Sequence, residues 1–352
     1  MRRPSVRRIT ALVAAGLLLP ALAACGSGSD SDDTAGGAAD GDSTLVIYSG
    51  RNEKLVKPLL EDLEKAVGAK VEVRYGDSAE LAAQILEEGE RTKAGLFFSQ
   101  DAGALGALSK EGMLQKLPSA TLDKVDGAYR GSDGDWVGLS GRVRVIAYNP
   151  DKVAEDKVPD SVFDVVEPEW KGKVGFAPTN ASFQAFVTGM RVLKGDDATR
   201  EWLKDLKDNG AKTYANNLAT LDGVEAGEVS LGLVNHYYWY ERVAEKGEDK
   251  VNSRLHFLPG DDPGALINVA GAGVLKDSGQ SATAQKAVDY LLSKDAQTYF
   301  ADRTKEYPLA AGVTSTVEDL PPLDSLESPD IDLGRLESLQ ETLAMLQDVG
   351  LV

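Results

Sequence analysis

The densest chemistry in the chain is the run Asn235-His236-Tyr237-Tyr238-Trp239-Tyr240, which sets five aromatic rings in a row, counting the imidazole. Neighbouring side chains on a strand project to opposite faces, so Tyr237 and Tyr238 reach one ligand together only at a strand-to-helix turn. Paired phenols suit a hard, highly charged cation. A phenol titrates at about 10, but a trivalent ion displaces its proton and binds the oxygen. An aromatic platform for a sugar or an amine would use the same residues, and so would plain core packing. From these residues alone all three readings stay open.

Three further polar junctions follow segments that read as strands: Ser49-Gly50-Arg51-Asn52, Ser99-Gln100-Asp101 and Thr179-Asn180-Ala181-Ser182. In open α/β sheets, ligands bind beyond the carboxyl ends of strands, where helix N-termini offer free N–H groups. Ser, Asn and Asp also serve there simply as helix caps. At 179–182, small residues ahead of a helix suit an oxyanion, through backbone N–H groups and the Ser182 hydroxyl.

The elements that position these junctions alternate. Thr44–Tyr48 reads as a strand, and Leu55, Val56, Leu59, Leu60, Leu63 and Val67 then recur at helical spacing. Lys70–Tyr75 alternates as a strand, Asp77-Ser78 caps a helix over Ala79–Arg91, Gly95–Phe98 is a strand, and Asp101–Lys110 a helix. Later come a strand at Lys173–Ala177, helices at Phe183–Leu193 and Glu201–Lys207, a strand at Val229–Val234 and a helix at Ala282–Leu292. The tail Leu333–Gln347 reads as one amphipathic helix through Leu336, Leu339, Leu343 and Leu346. This order predicts an α/β fold of two lobes with a cleft between them, built on a mostly parallel sheet.

Composition closes several routes. The 352 residues carry 38 Lys and Arg against 56 Asp and Glu, a formal charge of -18, which argues against a nucleic-acid partner. One cysteine excludes a disulfide framework, and two histidines (His236 and His256) exclude multi-histidine metal sites. There is no GxSxG, P-loop or HExxH motif, and Ser182 has no partner base assignable from sequence, so an enzyme is not expected.

Residues 1–24 hold four arginines followed by an apolar run from Ala11 to Ala24, the pattern of an export signal. The run ends Leu22-Ala23-Ala24-Cys25, which resembles the bacterial lipobox, so Cys25 is the expected lipidation site. Residues 26–43 are only Gly, Ser, Asp, Thr and Ala and predict a tether reaching about 23 Å. Loss of the signal arginines brings the net charge to about -22. The expected location is the outer face of the cytoplasmic membrane, held by lipid alone.

Residues 44–350 resemble the bacterial ferric-ion-binding proteins, the substrate-binding components of iron(III) ABC transporters. The likeness rests on LVIYSGR (45–51), LAAQILEEGERTKAGLFFSQD (81–101), WVGLSGRVRVIAYN (136–149) and WKGKVGFAPTNASF (170–183). It continues through NNLATLDGVEAGEVSLGLVNHYYWY (216–240), DPGALINVAGAGVL (262–275) and EYPL (306–309). The resemblance implies a periplasmic-binding-protein-like type II fold, two lobes joined by a two-crossover hinge that closes on the ligand. It places the lobes at 44–142 with 266–315 and at 143–265 with 316–352. It implies Fe(III) as transported ligand, Tyr237 and Tyr238 as its ligands, and an anion pocket of Asn180, Ala181, Ser182, Asn217 and Asn235 for phosphate or carbonate. The implied partners are an ABC permease and its ATPase, and the implied state is a monomer.

The chain departs from the family where a histidine and a glutamate complete the iron shell in its best-known branch, since the aligned positions are Asn52 and Gln100. Another branch uses a third tyrosine beside the anion pocket, and this chain has Phe183 in that neighbourhood. Fe(III) with two phenolates leaves one positive charge, which neutral amides cannot cancel, so an exogenous anion is expected to be obligatory. Arg51, Arg142 and Arg144 are candidates to hold that anion or to bridge the lobes. Asp101 is a candidate further ligand or a first-turn helix carboxylate. The alternative function keeps the fold and binds an oxyanion, a phosphonate or chelated iron.

Overall fold

The computed structural model describes residues 44–276 and 278–352. The expected export signal, Cys25 and the expected tether lie outside these residues. Strand β1 (Thr44–Ser49) is parallel to β2 (Lys70–Tyr75) and to β3 (Leu96–Ser99). Between them run α1 (Glu53–Val67) and α2 (Ser78–Glu88), and α3 (Ala102–Lys110) follows β3. Each helix starts at a polar strand end. Asn52, Asp77 and Asp101 accept the N–H of Lys54, Ala79 and Ala104, so each cap residue named by sequence caps. Val56, Leu59, Leu60, Leu63 and Val67 of α1 are buried, as their spacing predicts.

After the single turn α4 (Ser119–Leu122) comes β4 (Trp136–Tyr148), buried along its whole length. A second set of elements follows: β5 (Val174–Phe176), α5 (Ala181–Lys194), α6 (Asp196–Asp208), β6 (Lys212–Thr213), α7 (Asn217–Glu225), β7 (Leu231–Asn235), α8 (Tyr237–Lys246) and β8 (Arg254–Phe257). The chain then returns through β9 (Ile267–Val274), α9 (Ser281–Leu291), α10 (Lys294–Arg303) and β10 (Tyr307–Pro308) and ends in α11 (Leu339–Val349). Among the described residues no helix is long and apolar enough to cross a membrane.

The strand order is β2-β1-β3-β9-β4-β7-β5-β6, with β8 and β10 also on β4. The expectation of a mostly parallel sheet needs correction. The β1–β2, β1–β3, β5–β6 and β5–β7 pairs are parallel, but every pair made by β4 and by β9 is antiparallel. The reason is that β4 serves both halves. Residues Trp136–Val143 pair with β9, and from Arg144 onward the partners are β7 and β8. A strand crossing between two βαβ halves enters each from outside its parallel winding.

Besides a third cluster that holds Val145, Val234, Trp239, Tyr240 and Tyr307, two apolar cores lie on either side of this step. One gathers Leu45, Ile47, Leu59, Phe97, Leu105 and Val288, and the other Phe176, Phe183, Trp202, Leu231 and Met345. The tail belongs to both, and the expected single helix over 333–347 is not formed. Residues Leu333–Glu337 form a 3₁₀ turn whose Leu333 and Leu336 enter the first core, whereas Met345, Leu346 and Val349 of α11 enter the second. One straight helix could not serve both cores. The backbone of the turn also presses on α3 where a Cβ at Gly103 or Gly106 would fall 2.4 Å from the Leu336 carbonyl oxygen or 2.2 Å from that of Gly334.

Candidate functional site: a tyrosine pair beside buried arginines

Strand β7 ends at Asn235, His236 turns the chain, and Tyr237 and Tyr238 are the first two residues of α8. That is the strand-to-helix turn at which adjacent phenols can converge. Their ring centroids are 4.2 Å apart with planes inclined by 33°. Tyr237 is buried and Tyr238 half-buried. Burial, and then the neighbouring Tyr238, push the Tyr237 phenol well above its ordinary value. Tyr237 therefore keeps its proton unless a cation replaces it.

His236 is not a spare ligand. Its Nδ1 accepts the Val143 N–H at 3.2 Å, which leaves Nε2–H to donate to the Lys305 carbonyl at 3.0 Å. Burial lowers its pKa to about 4, against about 6.5 for an unfolded histidine. Below pH 6.5 the unfolded chain takes up a proton that the native imidazole refuses. Stability should therefore fall by about 3 kcal/mol between pH 6.5 and 4, with no contribution to the slope above 6.5. Denaturant midpoints against pH test this: His236→Gln should be less stable at pH 7.5 and lack that part of the acid slope. The other histidine, His256 on β8, pairs with Asp160 at 2.9 Å.

Strand β4 aims Arg142 and Arg144 to one face, two residues apart, at the step where its partners change. Both are buried, and burial lowers both guanidinium pKa values, that of Arg144 to about 9, with the two phenols opposing the fall at Arg144. Arg144 donates to Asn235 Oδ1 and the Ser182 carbonyl, each at 3.4 Å, and to the Leu233 carbonyl at 3.3 Å, and its guanidinium lies over Phe186, 5.0 Å from the ring centroid. Arg142 donates to the Gln100 carbonyl and faces Glu306 at 3.9 Å. Arg51 reaches Glu306 Oε2 at 2.7 Å and Gln100 Oε1 at 3.3 Å. Ser140 Oγ and Thr304 Oγ1 donate to the same Glu306 oxygen at 2.7 and 3.2 Å. Burial pushes the Glu306 carboxyl up, but Arg51 and Arg142 more than offset it and hold it below the ordinary range. Each arginine still has one buried nitrogen without a hydrogen-bond partner among the described residues: Arg51 Nε, Arg142 Nη1 and Arg144 Nε. Buried donors of this kind are uncommon and mark a place for an acceptor.

A cavity of about 20 Å³, room for roughly one or two water molecules, is walled by Gln100, Arg142, Arg144, Ser182, Asn235 and Asn268. The residues of the expected anion pocket are gathered beside it. Asn180 Oδ1 accepts Ser182 N–H at 3.0 Å, Ser182 Oγ at 2.6 Å and Asn217 Nδ2 at 3.0 Å, and Asn217 Oδ1 is buried without a partner. The Phe183 and Gln184 N–H groups go to the Asn180 carbonyl, so in the first turn of α5 only Ala181 keeps an N–H without a partner among the described residues. The 179–182 cradle is thus largely closed on itself, and the unpartnered donors are on the arginines instead.

The two amide positions differ from each other. Gln100 lines the cavity, with its side-chain oxygen on Arg51. Asn52 is exposed, and its oxygen caps α1 through the Lys54 N–H at 3.0 Å. Asp101 is buried and caps α3 through the Ala104 N–H at 3.1 Å, with burial raising its pKa. Sequence reasoning missed Glu306, which quotes as part of EYPL but carries no local signal of its buried partners.

The family model described as bacterial extracellular solute-binding protein matches residues 92–332. The chain is 37% identical over 309 residues to the major ferric iron-binding protein of Neisseria meningitidis serogroup A, covering 87% of this chain and 93% of that one. It belongs to the bacterial ferric-ion-binding protein family. Among solved structures, iron-bound HitA from Pseudomonas aeruginosa superposes with a TM-score of 0.81 at 37% identity, over 87% of this chain and 99% of that one. The Trichodesmium protein in complex with iron and citrate does so with 0.75 at 28% identity, over 88% and 99%. This ferric-ion-binding protein family consists of two-lobed type II solute-binding proteins of iron uptake, not enzymes, so the fold and class expected from sequence are correct.

Proposed function

We propose that this protein captures Fe(III) outside the cytoplasm through the phenolates of Tyr237 and Tyr238 and hands it to an ABC permease driven by its ATPase. The observation that carries the reading is the phenol pair at the head of α8, with rings 4.2 Å apart beside Arg142 and Arg144. Ferric ion, as cargo, supplies the charge that displaces both phenolic protons. The lobes are residues 44–142 with 266–315 and 143–265 with 316–352, the 3₁₀ turn at Leu333–Glu337 reaching back to the first core. They close on the ion by bending at the step in β4 and ahead of β9.

A small anion such as carbonate or phosphate would take hydrogen bonds from Arg144 Nε and from Arg142 Nη1, which has only the more distant Glu306 for company, next to Ser182, Asn235 and Asn217. The citrate bound with iron in the Trichodesmium protein favours a second reading, in which iron arrives chelated and a citrate carboxylate takes that place. The protein acts as a monomer, lipidated at Cys25 and tethered to the outer face of the membrane.

Iron added to the apo protein with bicarbonate should give a visible tyrosinate-to-iron absorption band and release protons into weak buffer. A colourless product rejects the reading. Calorimetry with ferric ion plus carbonate, phosphate or citrate separates the two sources of the anion. Tight binding of an anion with no further gain from iron would favour an oxyanion or phosphonate receptor instead.

A further inference from the structure

Glu241 lies on α8 four residues after Tyr237 and three after Tyr238, so the three side chains share a helix face. Side chains on a helix lean toward its N-terminus, which tilts Glu241 over the turn that carries the phenols. Its Oε1 is sealed from solvent and has no hydrogen-bond donor among the described residues. The next residue offers it nothing, because Arg242 Nη1 is engaged with Asp222 at 2.5 Å and Glu225 at 3.1 Å. Burial, and then Glu306, raise the Glu241 carboxyl to about 7, while Arg51 and Lys305 oppose the rise. Glu306 and Arg51 of the buried arginine cluster are thus among the charges that act on it. A buried carboxylate oxygen with no donor is costly unless a cation arrives to use it.

We propose that Glu241 is the third anionic group of the iron site, its carboxylate completing the charge of the ion beside Tyr237 and Tyr238. The proposal rests on the assignment of those tyrosines as iron ligands. Fe(III) with two phenolates keeps one positive charge, and one carboxylate cancels it. Arg51, Arg142 and Arg144 are opposed by the carboxylates of Glu306 and Asp101, which leaves one positive charge on that side. The two demands separate: Glu241 balances the iron, and the exogenous anion balances the arginines. The anion is then a supporting ligand and not the sole source of neutrality, in contrast to the expectation from Asn52 and Gln100 alone.

The test compares wild type, Glu241→Gln and Glu241→Asp, each titrated with ferric nitrilotriacetate with and without bicarbonate. Glu241→Gln should lose at least about tenfold in iron affinity, with the larger loss when bicarbonate is omitted. Its tyrosinate-to-iron band should move to longer wavelength, because an amide leaves the ion more electron-poor than a carboxylate does. Glu241→Asp should keep most of the affinity and the wild-type band. An unchanged affinity and band in Glu241→Gln, with wild type coloured, overturns the proposal and leaves the tyrosine assignment standing. A loss of affinity with an unmoved band, or an equal loss in Glu241→Asp, also overturns it, since packing alone would do that. A wild-type protein that never colours removes both.

Discussion

Tyr237→Phe and Tyr238→Phe should each weaken ferric binding by about a thousandfold, and the double variant should neither colour nor bind. The size follows from charge. Removing one partner of a buried, paired charge costs about 3–5 kcal/mol, and about 4 kcal/mol is a factor of a thousand in affinity. Fold stability should change little, because the rings remain and only hydroxyls are lost. The same chemistry fixes the pH dependence. Burial holds the Tyr237 phenol well above its ordinary value, so its proton must be displaced on loading. Loading by the phenols releases two protons, so affinity falls as pH drops, by about a hundredfold per unit from these groups alone. In each single variant the phenol contribution should halve to one proton. Competition titrations against a chelator at several pH values, with absorbance as readout, measure both effects. Wild-type affinity in either single variant would mean the ion is held elsewhere.

The second large effect concerns stability. Glu306→Gln should destabilise the apo protein by about 3–5 kcal/mol and lower its melting temperature by on the order of 10 °C. The carboxylate takes a 2.7 Å ion pair from Arg51, a hydroxyl from Ser140, another from Thr304 and the more distant charge of Arg142, all buried. An amide keeps the shape but removes the main counter-charge of two guanidinium groups, those of Arg51 and Arg142. Arg51→Met in the same chain should recover part of the loss, because it removes one of the orphaned charges. Calorimetric melting of the two variants checks this, and a fall smaller than about 1 kcal/mol would show the cluster to be hydrated.

Much of the scaffold was legible because its signals are local. The buried positions of α1 repeat at helical spacing, β2 alternates, and Asp77 and Asp101 cap the helices that follow them. Where local pattern failed, a distant packing demand prevailed. The leucines from Leu333 to Leu346 keep helical spacing, yet the chain breaks between Glu337 and Leu339 because its two halves bury in different cores. The antiparallel strands β4 and β9 carry the connection between halves, a role with no periodicity of its own.

The candidate site divides in the same way. The phenol pair, the small polar segment at 179–182, the lone cysteine and the shortage of histidine all stand in the sequence, and together they direct attention to an oxygen-ligated cation. Only the tertiary structure decides which polar atoms are already spent. Asn52 caps a helix, Asn180 closes on its own turn, and both nitrogens of His236 serve the backbone. The arginines and Glu241, by contrast, keep buried atoms without partners. Residue type and spacing determine what a side chain can do, and those are written along the chain. Whether it is free to do so depends on hydrogen-bond partners such as Arg51 and Glu306, which are 255 residues apart and meet only when the chain folds.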